Sequence, residues 1–553
     1  MTAPHARVAD DGHANRPVRA GERRAFVRSA SVLGSWTLVS RVLGYVRDSL
    51  NAALFGAGAV ADAYFVAFRI PNLLRDLVGE GAFSAAVVPT VVSTLQKGGP
   101  REVHRLLAAL LTVVALGGAV VAAVGVLIAP WLVSLLAPGF AASPAKFALT
   151  VTLTRWLFPF IAFMSLAASV MGYLNARERF GPGAFAPVAL NLCIIAGGVL
   201  LCPLFGTGPE TRIYGWTLGV LLGGLAQWLV QLPAARSLGF RYEWRLWHPG
   251  LRAIGVLMVP ALVGFSVSQI YLLVNTILAS LLAEGSVAYL YYGNRLMQLP
   301  LGVMGVALST AAYPVVARAL AKGRPGDAAV PLNHALALTA FSVLPASAGL
   351  IALSPWINRL LFRYGRFGAE DAAVTAAVAS AYAIGIVGHA CGRVLTPPFY
   401  AAGRPSVPVA VAVAGVTCNI LLSVVLMFPL GAAGLPLSTS VVAIVTAVWL
   451  GWRLRGIVPG LGGLRLAGAF AGSLAASAAM GLAVWAGARW GDQALAAAGW
   501  GMRARDAAVT VGGIAMGLSV YAAFTWTLGL REFEDARDGL AHLTTRARRT
   551  TRP

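Results

Sequence analysis

Four charged side chains interrupt an apolar stretch of the sequence, VAFRIPNLLRDLVGEGAFS at residues 66–84. They are Arg69, Arg75, Asp76 and Glu80. If this stretch crosses a bilayer, each arginine near the centre costs roughly 2.5–3.5 kcal/mol unless it faces a water-filled cavity or an opposite charge. Guanidinium groups present parallel donors that match carboxylate or phosphate oxygens. The stretch therefore predicts an interior polar site suited to an anion.

The composition indicates a membrane protein with many spans. The chain has 553 residues, of which 58% are hydrophobic and 12% charged, with a mean hydropathy of +0.74. Soluble domains carry about 25% charged residues. The net charge of +22 is almost entirely arginine, because lysine occurs only at Lys97, Lys146 and Lys322. Most of this charge lies in short loops, which favours membrane orientation over nucleic-acid binding.

Fourteen apolar runs are long enough to cross a hydrocarbon core of about 30 Å. They are residues 29–55, 60–95, 105–137, 147–174, 184–205, 213–235, 253–282, 286–318, 331–362, 374–400, 407–430, 433–453, 466–488 and 507–529. Arginine and lysine concentrate in alternate loops, such as those around Arg177, Arg241 and Lys322. This asymmetry predicts that both termini are cytoplasmic and that the loop around Arg366 lies outside.

The chain also contains an internal repeat. At an offset of 225, residues 63–100 align with residues 288–325, and thirteen of these thirty-eight positions are identical, including Ser84 with Ser309 and Pro89 with Pro314. The second run thus pairs with the eighth, in the same orientation. This predicts two parallel six-helix lobes, and transporters built from such repeats bind substrate between them.

The depth of the arginines places them in that interior. Arg41 lies about twelve residues into the first run, or ~18 Å at 1.5 Å per residue. By the same count Arg69 is ~14 Å and Arg75 ~22 Å deep in the second run, and Arg295 reaches a similar depth in the eighth. We expect a cationic cavity for a phosphate or pyrophosphate. The alternative is internal pairing with acidic residues, namely Asp48, Asp62, Asp76 and Glu80.

Other polar residues give weaker indications. Arg155 is expected to extend to the membrane surface, whereas Arg393 could face the cavity or not. Gln269 and Asn275 are interpreted as interhelical hydrogen-bonding residues. Pro71, with Gly79 and Gly81, predicts an interrupted second helix, although ordinary helix packing would also use such residues.

Several catalytic and cofactor motifs are absent from the sequence. It has no phosphate-binding loop ending in Lys-Ser/Thr, no HExxH and no cysteine–histidine cluster. No aspartate appears in the seventh or eleventh run that would suggest a cation cage. We therefore predict a transporter, not an enzyme, with no metal, no cofactor and no nucleic-acid partner.

Six sequence blocks resemble the MurJ/MviN family of bacterial lipid II flippases, within the multidrug/oligosaccharidyl-lipid/polysaccharide exporter superfamily. The blocks are SRVLGYVRD (40–48), FGAGAVADAYFVAFRIPNLLRDLVGEGAFS (55–84), APGF (137–140), FAPVALN (185–191), YYGNRLMQLPLGVMGVALST (291–310) and LFRYGRF (361–367). The similarity extends from about residue 30 to 450, and more loosely to 530. The first two blocks are highly specific.

The resemblance implies a substrate, a fold and a set of site residues. The substrate is undecaprenyl-pyrophosphate carrying the disaccharide-pentapeptide of peptidoglycan, and the fold is fourteen helices in two lobes around a V-shaped cavity. The family's cavity arginines fall on Arg41, Arg47, Arg75 and Arg295. Its supporting or coupling positions fall on Asp48, Asp62, Arg69, Glu80 and Arg393. The sequence departs from the family at Asn294, where an aspartate is common, so any role of that aspartate is in doubt here.

Domain boundaries follow from the runs, the repeat and the resemblance. We predict cytoplasmic tails at 1–28 and 531–553, an N-lobe at 29–245, a C-lobe at 246–456, and helices thirteen and fourteen at 457–530, which the resemblance implies form a groove for the lipid tail. The expected location is the bacterial inner membrane. We expect a monomer that contacts membrane lipids and associates with cell-wall synthesis machinery. Alternatives are a flippase for another polyprenyl-linked glycan, a drug exporter of the same superfamily, and a non-transporting scaffold.

Overall fold

A computed structural model describes residues 20–75, 83–302, 306–535 and 537–538, without the side chains of 20–33, 74–75, 84, 260–268 and 306–311. Within these residues the chain is almost entirely helical, and they contain no strand. The first half comprises α1 (Ala20–Phe55), α2 (Ala59–Arg75), α3 (Phe83–Leu136), α4 (Pro144–Leu157), α5 (Phe160–Ala176), α6 (Phe180–Ala196), α7 (Pro209–Leu229) and α8 (Leu232–Ser237). The second half comprises α9 (Pro249–Ser280), α10 (Ser286–Pro300), α11 (Val306–Ala321), α12 (Ala329–Phe362), α13 (Ala369–Ile384), α14 (Ile386–Ala401), α15 (Ser406–Leu430), α16 (Gly434–Arg455), α17 (Leu464–Ala497) and α18 (Met502–Thr527).

All fourteen predicted runs coincide with helices, and several runs are helices broken in two. Nine helical stretches of the described residues are long and apolar enough to cross a membrane, by length and composition. The fourth run is α4 followed by α5, with Pro159 at the break, where proline cannot donate a backbone hydrogen bond. The second run covers α2 and the start of α3, and the eighth covers α10 and α11. Residues 76–82 and 303–305 between them lie outside the described residues, so the interruption predicted at Gly79 and Gly81 stays a prediction. Fourteen spans are consistent with this arrangement.

A bend at Gly99 joins the second and third runs within α3. Gly99 has φ 71° and ψ −173°, and Pro100 follows it. Glycine reaches this backbone region without a steric penalty, and proline is favoured at the first turn of a helix. The bend lets one continuous helical segment fold back on itself at a loop rich in basic residues.

The helices pack as two groups joined by α9. On one side, α1 packs against α6, α6 against α7, and α3 against α5. On the other side, α10 and α12 both pack on α13, and α14 and α15 on α16. The first turns of α9 lie against α3, and its last turns approach α15 and α16. The predicted boundary at residue 246 assigns α9 to the C-lobe, yet this helix contacts both groups.

Helices α17 and α18 pack on α12, outside the repeat. A cluster of charges attaches them: Arg359 Nη2 lies 2.6 Å from Asp506 Oδ1 and 3.2 Å from Asp492 Oδ2. Asp506 is buried, so its charge requires this arginine. The lipid-tail groove expected for these helices stays a prediction.

Candidate functional site

A cavity of about 470 Å³ lies between the two helix groups. Its walls come from α1, α2, α6, α9, α10 and α13, and four arginines line it: Arg41, Arg47, Arg69 and Arg295. None of the described lining residues is acidic. The cavity therefore brings together arginines from the first, second and eighth predicted runs, as their depths indicated.

Arg47 is held in a fixed orientation by three neighbours. Its Nε and Nη2 donate to Asp48 Oδ1 at 2.9 and 2.7 Å. Its Nη1 donates to Asn191 Oδ1 at 3.0 Å, and Nη2 also lies 3.2 Å from the Tyr291 hydroxyl. Asn191 in turn donates to the Ser40 carbonyl at 3.1 Å. Arginine carries several donors in one plane, so these contacts fix the plane of the guanidinium group.

Asp48 is shared between two arginines of different helix groups. Arg295, on α10, places Nε 2.9 Å from Asp48 Oδ2, while Arg47 occupies Oδ1. The aspartate is only 2% exposed, and a buried carboxylate needs such partners. Tyr45 supports Arg295 by donating from its hydroxyl to the Arg295 carbonyl at 3.1 Å. Arg47 and Arg295 are therefore paired internally, which is the alternative to free cavity charges. The pairing is incomplete, because one carboxylate contacts two guanidinium groups.

Arg41 contributes a charge without a described carboxylate partner. Its side chain is exposed toward the cavity, and no ion pair to it occurs within the described residues. A Cβ at Gly302 would lie 2.9 Å from Arg41 Nη2, and one at Gly44 would lie 2.6 Å from Arg295 Nη2. Glycines at these two positions therefore let each guanidinium group lie directly on the backbone of the opposite helix.

The remaining predicted residues fall in three places. Arg69 is half-buried on α2 and lines the cavity. Arg75 is the last residue of α2, but its side chain lies outside the described residues, as do Asp76 and Glu80 entirely. Arg393 is exposed on α14 and is not one of the described lining residues, so its role stays a prediction.

Asn294 faces the cavity at the position where the related family often has aspartate. It accepts a hydrogen bond from Gln298 Nε2 at 2.7 Å, and both residues line the cavity. The amide is neutral, so the described wall keeps its excess of positive charge. An aspartate here would have offset part of that excess.

Asp62 lies at one end of the bundle, away from the arginines. Its Oδ2 accepts from Lys146 Nζ at 2.7 Å and from the Gly285 amide at 2.8 Å. Its Oδ1 accepts from the Ala288 amide at 2.9 Å. Asp62 therefore caps the start of α10, where helix amides lack intrahelical partners. Asp62 thus links the two helix groups, while its supporting or coupling role in function stays a prediction.

The second helix group makes the same type of contact to the first. Glu284, immediately before α10, accepts from the Ala59 amide at the start of α2 at 2.7 Å. Positions 59 and 284 differ by 225, which is the offset of the sequence repeat. Each group therefore caps a helix of the other, and we call this pair of caps, with Lys146, the seam.

Backbone contacts close the seam further. The Arg366 amide donates to the Ala53 carbonyl at 2.9 Å. A Cβ at Gly139 would lie 1.9 Å from the Ser280 carbonyl oxygen, so only glycine permits this approach between the 3₁₀ turn Pro138–Ala142 and α9. These contacts add to those that join the two helix groups at the seam.

A neutral polar cluster joins α9, α15 and α16. Asn275 Nδ2 lies 3.2 Å from Thr439 Oγ1, which is the interhelical hydrogen bond expected of this asparagine. Asn419 Nδ2 donates to Ser438 Oγ at 3.0 Å and to Thr439 Oγ1 at 3.2 Å. All of these residues are buried. The cluster contains no carboxylate among its described members, so it stabilises helix packing without an added charge.

Sequence reasoning missed four residues of these sites: Asn191, Tyr291, Lys146 and Glu284. Asn191 ends the FAPVALN block as a polar residue within an apolar run, which was a usable signal. Glu284 aligns with Ala59 at the repeat offset and not with another acid, so the repeat offers no signal for this cap. Tyr291 and Lys146 contact their partners only through the folded arrangement of distant helices.

Comparison with known proteins identifies the family. The family model described as "Lipid II flippase MurJ" matches residues 51–501. The chain belongs to this family. The lipid II flippase MurJ of Burkholderia cenocepacia is 36% identical over 447 residues, which is 79% of this chain and 86% of that protein. A probable lipid II flippase MurJ of Rhizobium meliloti is 37% identical over 435 residues, covering 77% and 80%.

Solved structures support the MurJ fold. A lipid II flippase MurJ in an inward closed conformation superimposes with a TM-score of 0.73 at 24% identity, covering 89% of this chain and 97% of that one. An inward-facing multidrug resistance MATE transporter of the MOP superfamily gives a TM-score of 0.63 at 14% identity, covering 77% and 98%. As a MurJ protein, this chain is a multi-pass protein of the bacterial inner membrane.

Proposed function

We propose that this protein moves lipid II, the undecaprenyl-pyrophosphate carrier of the peptidoglycan disaccharide-pentapeptide, from the inner to the outer leaflet. The observation that carries the proposal is the cavity itself, with four arginines and no acidic residue among its described lining. Its MurJ relatives are named for this substrate. A pyrophosphate is the part of that molecule which guanidinium groups recognise best.

The geometry supports distinct roles for the arginines. Arg47 is fixed by Asp48, Asn191 and Tyr291, so it forms a rigid wall of the proposed phosphate site. Arg41 carries no described counter-ion and would take the largest share of the new charge. Arg295 has one contact to Asp48 and is 29% exposed, so its remaining donors are available to phosphate oxygens. Arg75 is proposed as a further ligand on the basis of the family resemblance.

An anionic substrate would also change the pairing at Asp48. Besides using the free donors of Arg295, phosphate oxygens would compete with the carboxylate for its Nε. Release of Arg295 from Asp48 would remove one of the contacts that hold α1 to α10. Substrate binding would thereby weaken the contact between the two helix groups, as alternating access requires.

Loop charges support the orientation. The loops that contain Arg177, Arg241 and Lys322 are at the end opposite the seam and are rich in basic residues, which favours a cytoplasmic position. The seam then faces outward, and both termini lie in the cytoplasm. The substrate would enter the cavity from the cytoplasmic leaflet, and the seam would have to part for release.

The membrane potential favours export of the headgroup. One elementary charge moving across the field is worth ~2.3 kcal/mol per 100 mV, and the interior of a bacterium is negative. A negatively charged headgroup therefore moves outward downhill, without a nucleotide site on this chain.

A drug exporter of the same superfamily is the competing function. Recognition of a cationic drug would need acidic cavity groups to balance its charge. The described lining does contain aromatic side chains, but its four arginines and lack of any acid would repel a cation. The cavity chemistry thus favours an anionic lipid over a cationic drug.

Rescue of a bacterium depleted of its own lipid II flippase tests the proposal. We expect expression of this chain to restore growth and to restore exposure of lipid II on the outer leaflet, measured by cleavage with an externally added lipid II-degrading enzyme. Membrane-inserted protein that restores neither would reject the function. Exposure of a different polyprenyl-linked glycan would reassign the substrate.

A further inference from the structure

A second cavity, of about 720 Å³, lies at the end of the bundle opposite the seam. Its apolar walls are Leu111, Ala115, Leu166, Trp228 and Leu232, from α3, α5, α7 and α8. This volume is within the range of ordinary ligand pockets. It belongs to the first helix group alone and shares no lining residue with the arginine cavity.

Two arginines give this apolar cavity a charged edge. Arg236 and Arg241 line it and are exposed, and no carboxylate pairs with either within the described residues. The neighbouring Arg245 differs, since its Nε lies 3.5 Å from Glu243 Oε2. The cavity thus combines a surface for a hydrocarbon chain with two cations at its edge.

The segment that connects the two helix groups runs along the same edge. It is anchored by buried Phe240, by the Tyr242 hydroxyl at 2.9 Å from Thr112 Oγ1, and by His248 Nε2 at 3.3 Å from Glu102 Oε2. Between these anchors the chain is not helical. Trp244 and Trp247 are 66% and 72% exposed. Tryptophan, tyrosine and arginine together are typical of the boundary between lipid headgroups and hydrocarbon.

We propose that this cavity binds one anionic glycerophospholipid of the cytoplasmic leaflet. An acyl chain would occupy the apolar walls, and the phosphate would contact Arg236 and Arg241. The exposed tryptophans of the connecting segment would lie in the headgroup layer beside it. Because that segment joins the two helix groups, the lipid would fix the connection against α3 while the groups move.

Charge and position favour an anionic phospholipid as the occupant. The described lining contains two cations and no acid, so a headgroup with net negative charge is favoured over a zwitterionic one. The polyprenyl tail of the transported substrate is the competing occupant, and competition distinguishes the two.

Native mass spectrometry of the full-length protein, titrated with phosphatidylglycerol or phosphatidylcholine, tests the site. We expect one tightly retained phosphatidylglycerol per chain and weaker phosphatidylcholine binding. Each arginine near a membrane surface contributes about fivefold to such binding, so Arg236→Ala with Arg241→Ala should weaken it about thirtyfold. Ala115→Trp should remove the same lipid by filling the cavity while leaving the charges in place.

Arg404→Ala with Arg453→Ala is the matched control. Both arginines are exposed and lie at the same end, outside this cavity, and this pair should retain the lipid. Equal retention by the Arg236/Arg241 pair and wild type would overturn the proposal. So would equal loss in the control pair, which would show attraction to charge alone. Displacement by stoichiometric undecaprenyl pyrophosphate would assign the cavity to the substrate tail instead.

Discussion

The seam and the arginine cavity both contain charged side chains that link the two helix groups, but they balance their charges differently. At the seam, Asp62 meets Lys146 and two backbone amides within 2.9 Å. In the cavity, Asp48 is the one described carboxylate in contact with Arg47 and Arg295, while Arg41 has none. A matched set of charges stabilises a closed contact. An excess of one sign, in contrast, provides affinity for a ligand of the other sign.

Removing single cavity arginines should have the largest effect. We expect Arg41→Ala, Arg75→Ala or Arg295→Ala to abolish rescue of a flippase-depleted strain at near-normal membrane abundance, because each loses a forked phosphate contact. Arg→Lys at the same positions should rescue partly, since a point charge lacks the fork. Growth and immunoblots of membrane fractions measure this.

Arg503→Ala is the control for these variants. Arg503 is exposed, its Cζ lies 4.6 Å from the Tyr364 ring centroid, and it does not line the arginine cavity, so the variant should grow like wild type. Full complementation by all three alanine variants would contradict an anion-binding cavity. Their disappearance from the membrane would instead support a purely structural pairing.

Locking the seam should stop transport while the cavity stays intact. In a variant without the four native cysteines, Gly58→Cys and Glu284→Cys place two thiols within reach of a short crosslinker, since a Cβ at Gly58 would lie 3.2 Å from Glu284 Oε1. A bifunctional thiol reagent should then block rescue, and either single cysteine treated in the same way should remain active. Full activity of verified crosslinked protein would rule out parting of the seam.

The side on which the seam lies can be measured by thiol labelling in intact cells. Glu370→Cys, near Arg366 on the seam side, should react with a membrane-impermeant maleimide. Arg179→Cys, at the opposite end, should react only after the cells are permeabilised. Both positions are exposed, so access to the reagent depends on the side of the membrane. The reverse pattern would place the basic loops outside and overturn the orientation.

Neutralising Asp62 should lower stability more than activity. Asp62→Asn leaves the partly buried Lys146 without a counter-ion, a change that costs up to about 3–5 kcal/mol when a buried pair is broken. We expect a lower melting temperature of the purified protein, with part of the loss recovered when Lys146→Met is added. No recovery in the double variant would show that the caps on Gly285 and Ala288, rather than the ion pair, stabilise the seam.

Glu284→Gln should have the smallest effect. Glu284 is exposed, and its contact is one hydrogen bond to the Ala59 amide. Loss of an exposed cap of this kind costs no more than about 1 kcal/mol. A fall in melting temperature as large as that of Asp62→Asn would mean that the two caps contribute equally.

The sequence predicts the scaffold better than it predicts the contacts. Long apolar runs predict the membrane spans, because nearly every residue of a span must be compatible with the hydrocarbon core. The arginines of the cavity could be found because a charge at mid-membrane depth is costly wherever its partner lies. The sharing of Asp48 by Arg47 and Arg295 could not be found from the sequence, because it depends on the distance between helices that are about 250 residues apart in the chain.

The family resemblance also has a limit that Asp62 illustrates. It identifies Asp62 as a supporting position, but nothing local indicates that its partners are Lys146 and the amides of Gly285 and Ala288. Helix ends expose amides regardless of sequence. A carboxylate can therefore cap any helix that the fold brings near it, and only the packed structure shows which.

The reciprocal caps bear on how such a molecule could arise by gene duplication. Glu284 aligns with Ala59, whereas Asp62 aligns with Val287, so the two halves place their acids at different repeat positions. Both acids nevertheless satisfy the first amides of the opposite helix. Two identical subunits would have to carry the same cap twice, but a fused chain can mutate each half separately. Fusion therefore permits one buried cap, at Asp62, and one exposed cap, at Glu284. A symmetric dimer would carry each cap in both subunits and could not separate them in this way.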